Sequence, residues 1–399
     1  MGNRKRAEDW ENIIMIPYGR QDVSDDDIAN VVRVLKSDFL TQGNEVPAFE
    51  NRIAKYCSAA GAVAFNSATS ALHAACIALG VSKGDIVWTS AISFVASANC
   101  ALYCGATVDF VDVDPMTHNM SVHKLEQMLS YARSTGTLPK VVIPVHLSGL
   151  PCDMEAIYRL SKIYNFKIIE DASHAIGSKY QNKQVGSCTY SDITIFSFHP
   201  VKIITTGEGG MALTNSPEYL QTLHLARSHG VTRDASLMTH EPDGPWYYQQ
   251  ISLGYNYRMT DISAALGNGQ MNRLDSFVVK RNILAERYDK MLATSPLSLP
   301  WRHSSYYSSF HLYIVRLNMT VINKTKKQIF KELADLGVGI ALHYIPIPSQ
   351  PYYRSLGFIP ENYPAALSYY SDAITLPIFP SLSFDEQDKV VACLLNTIL

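Results

Sequence analysis

Ile195-Phe-Ser-Phe-His-Pro-Val-Lys202, running on into Ile203-Ile-Thr-Thr-Gly-Glu-Gly-Gly210, decides how this chain is read. The stretch sets a lysine just beyond an apolar strand and ahead of a glycine-bearing turn. A lysine held beside apolar walls gives up its proton more readily and can form a Schiff base. Ser197 and His199 stand close before it, where they can help to bind an anion. Upstream, another strand ends in an acid, Ile168-Ile-Glu-Asp171, followed by Ala-Ser-His174. An aspartate opposite a Schiff-base lysine is the pairing that pyridoxal phosphate needs, because the carboxylate keeps the pyridine nitrogen protonated. Alone, Lys202 reads more readily as a surface lysine in a loop, and its partners reverse that.

The bulk composition fits an enzyme of two domains. The chain has 399 residues, 47% hydrophobic and 18% charged, with a formal net charge of −2. That balance gives no electrostatic reason to expect nucleic acid or an anionic membrane as partner. No stretch reads as a signal peptide or membrane span. The seven cysteines lack metal-ligand spacing; Cys100 and Cys104, one helical turn apart, read as core. No metal site is expected, and the thiols and the missing export signal point to the cytoplasm.

Along the chain, residues 1–15 read as a loose leader. Ser24-Asp-Asp-Asp27 caps a helix whose expected inward face is Ile28, Val31, Val32 and Leu35. A second helix turns Phe49 and Ile53 inward. Ala62-Val-Ala-Phe-Asn-Ser-Ala-Thr-Ser-Ala71 is a strand, a small-residue turn and a helix start, where free N–H groups and the helix dipole suit a phosphate. An ordinary Ser/Thr cap is the plainer alternative. Further strands are expected at 86–88, 108–113, 141–145, 167–170, 193–198 and 211–214, with helices between several of them. This rhythm predicts a largely parallel sheet covered on both faces, with its ligand at the carboxyl ends of strands. Asp171, Ser197 and the turn after Phe65 all fall there. Phe94 can lay its ring on a planar cofactor, and His146 reads as a structural hydrogen-bonder. Residues 232–250 form a polar excursion. Asn256 and Arg258 in Gly254-Tyr-Asn-Tyr-Arg258 suit an anion. After it come helices, a strand at 311–317, a helix at 325–336, a strand at 338–343 and a closing helix at 385–397. The expected division is a large cofactor-binding domain, 16–264, and a small α+β domain, 265–399.

The order of these features resembles the sugar aminotransferases of the DegT/DnrJ/EryC1/StrS family over nearly the whole chain. The blocks that carry it are Leu40-Thr-Gln-Gly43, Phe65-Asn-Ser-Ala-Thr-Ser-Ala-Leu72, Ile92-Ser-Phe-Val-Ala-Ser-Ala-Asn99, Glu170-Asp-Ala-Ser-His174, Phe196-Ser-Phe-His-Pro-Val-Lys202 and Gly254-Tyr-Asn-Tyr-Arg258. Several read closest to the branch of UDP-4-amino-4,6-dideoxy-N-acetyl-beta-L-altrosamine transaminases in pseudaminic acid synthesis. The resemblance implies an α/β chain of pyridoxal-phosphate fold type I. Its large domain would hold a mostly parallel seven-stranded sheet, beside a small α+β domain.

It also implies roles. Lys202 would form the Schiff base and shuttle the proton, Asp171 would pair with the pyridine nitrogen, and Phe94 and His174 would flank the ring. Ala68, Thr69 and Ser197 would hold the phosphate, with Asn256 reaching in from a neighbouring subunit of a homodimer. Tyr18, the turn Asp38-Phe39-Leu40-Thr41 and Ala341-Leu342-His343-Tyr344 match places where the branch holds its nucleotide sugar, and L-glutamate would be the amino donor. Two departures stand out: Pro200 where alanine is common, and a long 233–250 segment. The alternatives are an aminotransferase for another UDP-, dTDP- or GDP-linked keto sugar and a catalytically idle binding relative. A Gly-x-Gly-x-x-Gly turn for a dinucleotide is absent.

Overall fold

The computed structural model describes residues 15–399, so all of the expected leader but Met15 lies outside the described residues. Seven strands make the central sheet: β1 (Gly61–Phe65), β2 (Ile86–Ser90), β3 (Thr107–Val111), β4 (Val141–Ile143), β5 (Lys167–Asp171), β6 (Ile193–Ser197) and β7 (Gly210–Thr214). Their order is β1-β7-β6-β5-β4-β2-β3. The pairs from β3 across to β6 are parallel. Only β7 runs against its neighbours, pairing Gly210 with both Phe65 and Ser197.

Near-continuous apolar runs such as Ile193–Phe196 need cover on both faces. One face packs Val63, Phe65, Ile143, Ile169 and Ile195 against Leu72 and Cys76 of α3 (Ala68–Ala78). The other packs Val142 and Ile168 against Leu125 of α5 (Val122–Thr135) and Ile157 of α6 (Met154–Tyr164). Further along that face, Phe196 and Leu213 meet Phe49 and Ile53 of α2 (Glu45–Cys57).

A smaller antiparallel sheet has Tyr313–Leu317 between Leu297–Ser298 and Ala373–Leu376. Helices Lys326–Asp335 and Phe384–Ile398 pack on it, each begun by a capping box, from Thr325 with Gln328 and from Ser383 with Glu386. The long helix Leu274–Leu292 serves both cores. Its Phe277 and Val278 pack with Phe196, while Leu284 and Tyr288 pack with Val315.

Three expectations change. The helix Asp25–Leu35 does have its Ser24 capping box, but the residues it buries are Asp27 and Val34. Ile28, Val32 and Leu35 face outward, because Asp27 binds Arg273 and Gln270 of the neighbouring helices and fixes the rotation. Residues 338–343 form no strand; the segment has only the isolated backbone bridges Ile16↔Val338 and Ala341↔Thr375. Residue 265 lies inside the helix Asp261–Gln270, and Ile16 packs in the smaller core, so the cores do not divide at those positions.

Candidate active site

The carboxyl edge of the large sheet opens into a cavity of about 690 Å³. Its floor is built from strand ends: Asn66 after β1, Asp171 ending β5 and Ser197 ending β6. Ser67 caps α3, its Oγ accepting from the Ser70 N–H. The Ala68 and Thr69 N–H groups, in the first turn, have no intrahelical acceptor and border the cavity. The turn closes on β7 because residue 210 is glycine. A Cβ there would lie 2.5 Å from the Ala68 nitrogen. Ser67 is an ordinary cap, and the same turn borders the cavity with Ala68 and Thr69.

Lys202 lines the same cavity, half-buried. Burial lowers its amine from 10.5 to about 8, against the opposing pull of the Asp171 charge. Asp171 is buried at the end of the neighbouring strand, β5. Its Oδ1 accepts from the Ser173 N–H (3.1 Å) and hydroxyl (2.6 Å), and its Oδ2 from the Ser97 hydroxyl (2.6 Å).

His174 is fixed in one tautomer. Its Nδ1 accepts from the Ser148 N–H at 3.2 Å, so the ring proton is on Nε2, donated to the Tyr344 hydroxyl at 3.0 Å. Burial, then the Lys202 charge, holds His174 well below its ordinary range. His311 stands 4.5 Å from the His174 ring and is depressed by the same two causes. Arg281 places it by donating to the carbonyls of Phe310 and His311. His343 falls to about 4, through burial and then Lys202, with its Nδ1 2.9 Å from the Thr375 hydroxyl. At neutral pH these three rings are uncharged, and Lys202 is the group poised to titrate.

Of the residues singled out in the sequence, the cavity gathers Tyr18, Ala68, Thr69, Phe94, Asp171, His174, Ser197, Lys202, His343 and Tyr344. Phe94 is 58% exposed, its ring 6.1 Å from that of Tyr344 and free on the open side. The turn Asp38–Thr41 is exposed and stands away from this cavity, and Ala341 and Leu342 are half-buried outside its lining. Asn256 is exposed too, although the Tyr257 carbonyl accepts from the Asn66 N–H beside the first turn of α3. His146 is the expected structural group: its Nδ1 accepts from the Cys152 N–H and its Nε2 meets Glu170 at 2.8 Å.

Ser93, Ser97, Ser173, Glu208 and His311 were not singled out. The Asp171-Ala-Ser173 spacing is that of an aspartate turn and could have exposed Ser173. Ser97, one helical turn beyond Phe94, carried a similar hint. His311 carried none, since only the packing of the smaller sheet brings it here.

These residues fit pyridoxal phosphate: unpaired N–H donors and Ser197 for the phosphate, an acid for the pyridine nitrogen, and a weakly basic amine for the aldehyde. Phe94 and His174 supply flat walls. The profile of the DegT/DnrJ/EryC1/StrS aminotransferase family matches residues 21–395. The "Spore coat polysaccharide biosynthesis protein SpsC" of Bacillus subtilis is 34% identical, over 94% of this chain and 95% of that one. A Campylobacter jejuni protein named "UDP-4-amino-4,6-dideoxy-N-acetyl-beta-L-altrosamine transaminase" is 37% identical, over 86% and 87%. The PLP-form of Spr1654 from Streptococcus pneumoniae superposes with a TM-score of 0.86 at 31% identity, covering 96% of this chain and 98% of that one.

Proposed function

We propose that this chain, which belongs to the DegT/DnrJ/EryC1/StrS aminotransferase family, moves an amino group from L-glutamate to C4 of a UDP-linked sugar. The sugar is a 4-keto-6-deoxy-N-acetyl-hexosamine, UDP-2-acetamido-2,6-dideoxy-beta-L-arabino-hex-4-ulose, and the product serves pseudaminic acid synthesis. Pyridoxal 5'-phosphate is the cofactor. The observation that carries the reading is the facing of Lys202 and Asp171 across one cavity beside the free N–H groups of Ala68 and Thr69.

When bound, the cofactor supplies an electron sink for the carbon that gains or loses a proton. Lys202 brings an amine that is neutral in a useful fraction near pH 8, able to bond an aldehyde and to carry a proton between carbon atoms. Asp171 would pair with the ring nitrogen. Ala68, Thr69 and Ser197 would take the phosphate, and Phe94 and His174 would flank the ring. Tyr18, His343 and Tyr344 line the part of the cavity left for the sugar.

The exposure of Asn256 and of Asp38–Thr41 supports a homodimer with shared sites, in which Asn256 serves the neighbour's phosphate and the turn its nucleotide. Ala341 and Leu342 belong to the same nucleotide end. Among the described residues no helix is long and apolar enough to cross a membrane, and we assign the reaction to the cytoplasm. The large domain would hold the cofactor, beside the small C-terminal one.

The Campylobacter relative's name supports the sugar; the Bacillus relative, similar over more of the chain, is named only for spore coat polysaccharide biosynthesis. The test offers the glutamate-aminated protein UDP-, dTDP- and GDP-linked 4-keto sugars and reads amino-sugar product by mass spectrometry. Turnover of the UDP-linked N-acetyl sugar is expected; exclusive turnover of a dTDP- or GDP-linked sugar contradicts the assignment.

A further inference from the structure

The Asp171 carboxylate is gripped from two elements at once. Ser173 holds Oδ1 from the turn that follows β5. Ser97, in the first turn of the helix Ala96–Tyr103, holds Oδ2 at 2.6 Å, with both side chains buried. A serine hydroxyl has one proton, and an ionised carboxylate only accepts. The Ser97 proton therefore goes to Asp171. The Ser93 hydroxyl, 2.7 Å from Ser97 Oγ, is then the donor in that second contact. The outcome is a directed chain, Ser93 to Ser97 to Asp171, in which each bond polarises the next. It runs along the cavity wall, where Ser93, Phe94 and Asp171 are neighbours.

We infer that Ser97, backed by Ser93, is a positioning residue for the aminotransferase reaction: it locks the Asp171 carboxylate in one plane and keeps the shared proton on the pyridine nitrogen. The inference rests on the proposed use of pyridoxal phosphate. A carboxylate stripped of one donor competes harder for a proton it shares. Without the Ser97 hydroxyl, that proton moves toward Asp171 and the ring loses positive charge. The nitrogen conjugated to the ring, supplied by Lys202, then becomes more basic. Because Phe94 precedes the same helix, its ring contact and the grip on the acid share one support.

The test is the pH dependence of the visible absorbance band of the cofactor-loaded protein. Ser97→Ala is expected to move the midpoint up by roughly one pH unit, the size of one lost charge-assisted hydrogen bond. Ser97→Thr, which keeps the hydroxyl, is expected to restore the parent midpoint. Ser93→Ala should move it the same way by less, and decides the matter if Ser97→Ala does not fold. A loaded Ser97→Ala with the parent midpoint overturns the inference alone, as does an unshifted Ser93→Ala where that variant decides. A parent protein that takes up no pyridoxal phosphate overturns the functional reading and this inference with it.

Discussion

Glu170 and Asp171 are adjacent carboxylates at the end of one strand, and they do opposite work. Successive residues of a strand point to opposite faces. Glu170 turns away from the cavity, where His146 stands 2.8 Å off and the hydroxyls of Ser191 and Thr194 complete its shell. Burial pushes its carboxyl up, but His146 and the hydroxyls outweigh that and leave it below the usual range. Asp171 turns into the cavity and is held by hydroxyls and one N–H, which orient it without neutralising it. Burial and hydrogen bonding are alike at the two sites. What differs is the partner: the fold sets the His146 ring against Glu170, whereas Asp171 opens on the cavity.

Exchanging the two acids one at a time is the strongest way to break that contrast. Asp171→Asn is expected to lower aminotransferase turnover about 10³-fold, the scale for removing one preorganised electrostatic partner. The stability of the apo protein should change by no more than about 1 kcal/mol. Glu170→Gln should do the reverse, costing about 3 kcal/mol in urea unfolding while sparing turnover per folded molecule. Equal losses of both kinds from both variants would erase the distinction.

A smaller effect sharpens it. The free amine attacks an aldehyde, so cofactor uptake by the apo protein should rise about tenfold per pH unit below about 8 and level off above it. The Asp171 charge raises the Lys202 value. Asp171→Asn should therefore move the break to lower pH, while Glu170→Gln should leave it in place; stopped-flow absorbance reads both.

The large sheet was legible because its strands are apolar runs closed by turns, and strands from Ile86 to Thr214 stand within a few residues of the expected ends. The candidate site was legible at strand ends for the same reason, since Asp171, Ser197 and the turn after Phe65 need only the sheet to meet. Elsewhere, periodicity misled. The stripe Ile28, Val32 and Leu35 has the spacing of an inward face, yet the buried Asp27, paired with the half-buried Arg273, outweighs it and turns the stripe outward. Residues 338–343 are apolar enough for a strand, but they meet the open edge of Ala373–Leu376 at a single residue pair, Ala341 with Thr375. His311 reaches the cavity only through contacts between distant segments, which local pattern does not encode.

The central claim is that Lys202 and Asp171 frame a pyridoxal-phosphate site. Its most direct test is the visible absorbance spectrum of purified protein, before and after L-glutamate, beside Lys202→Ala. The account predicts a band that glutamate bleaches in the parent and that the variant lacks. A parent protein that stays colourless with added pyridoxal phosphate, or a Lys202→Ala variant showing the same glutamate-sensitive band, would contradict it.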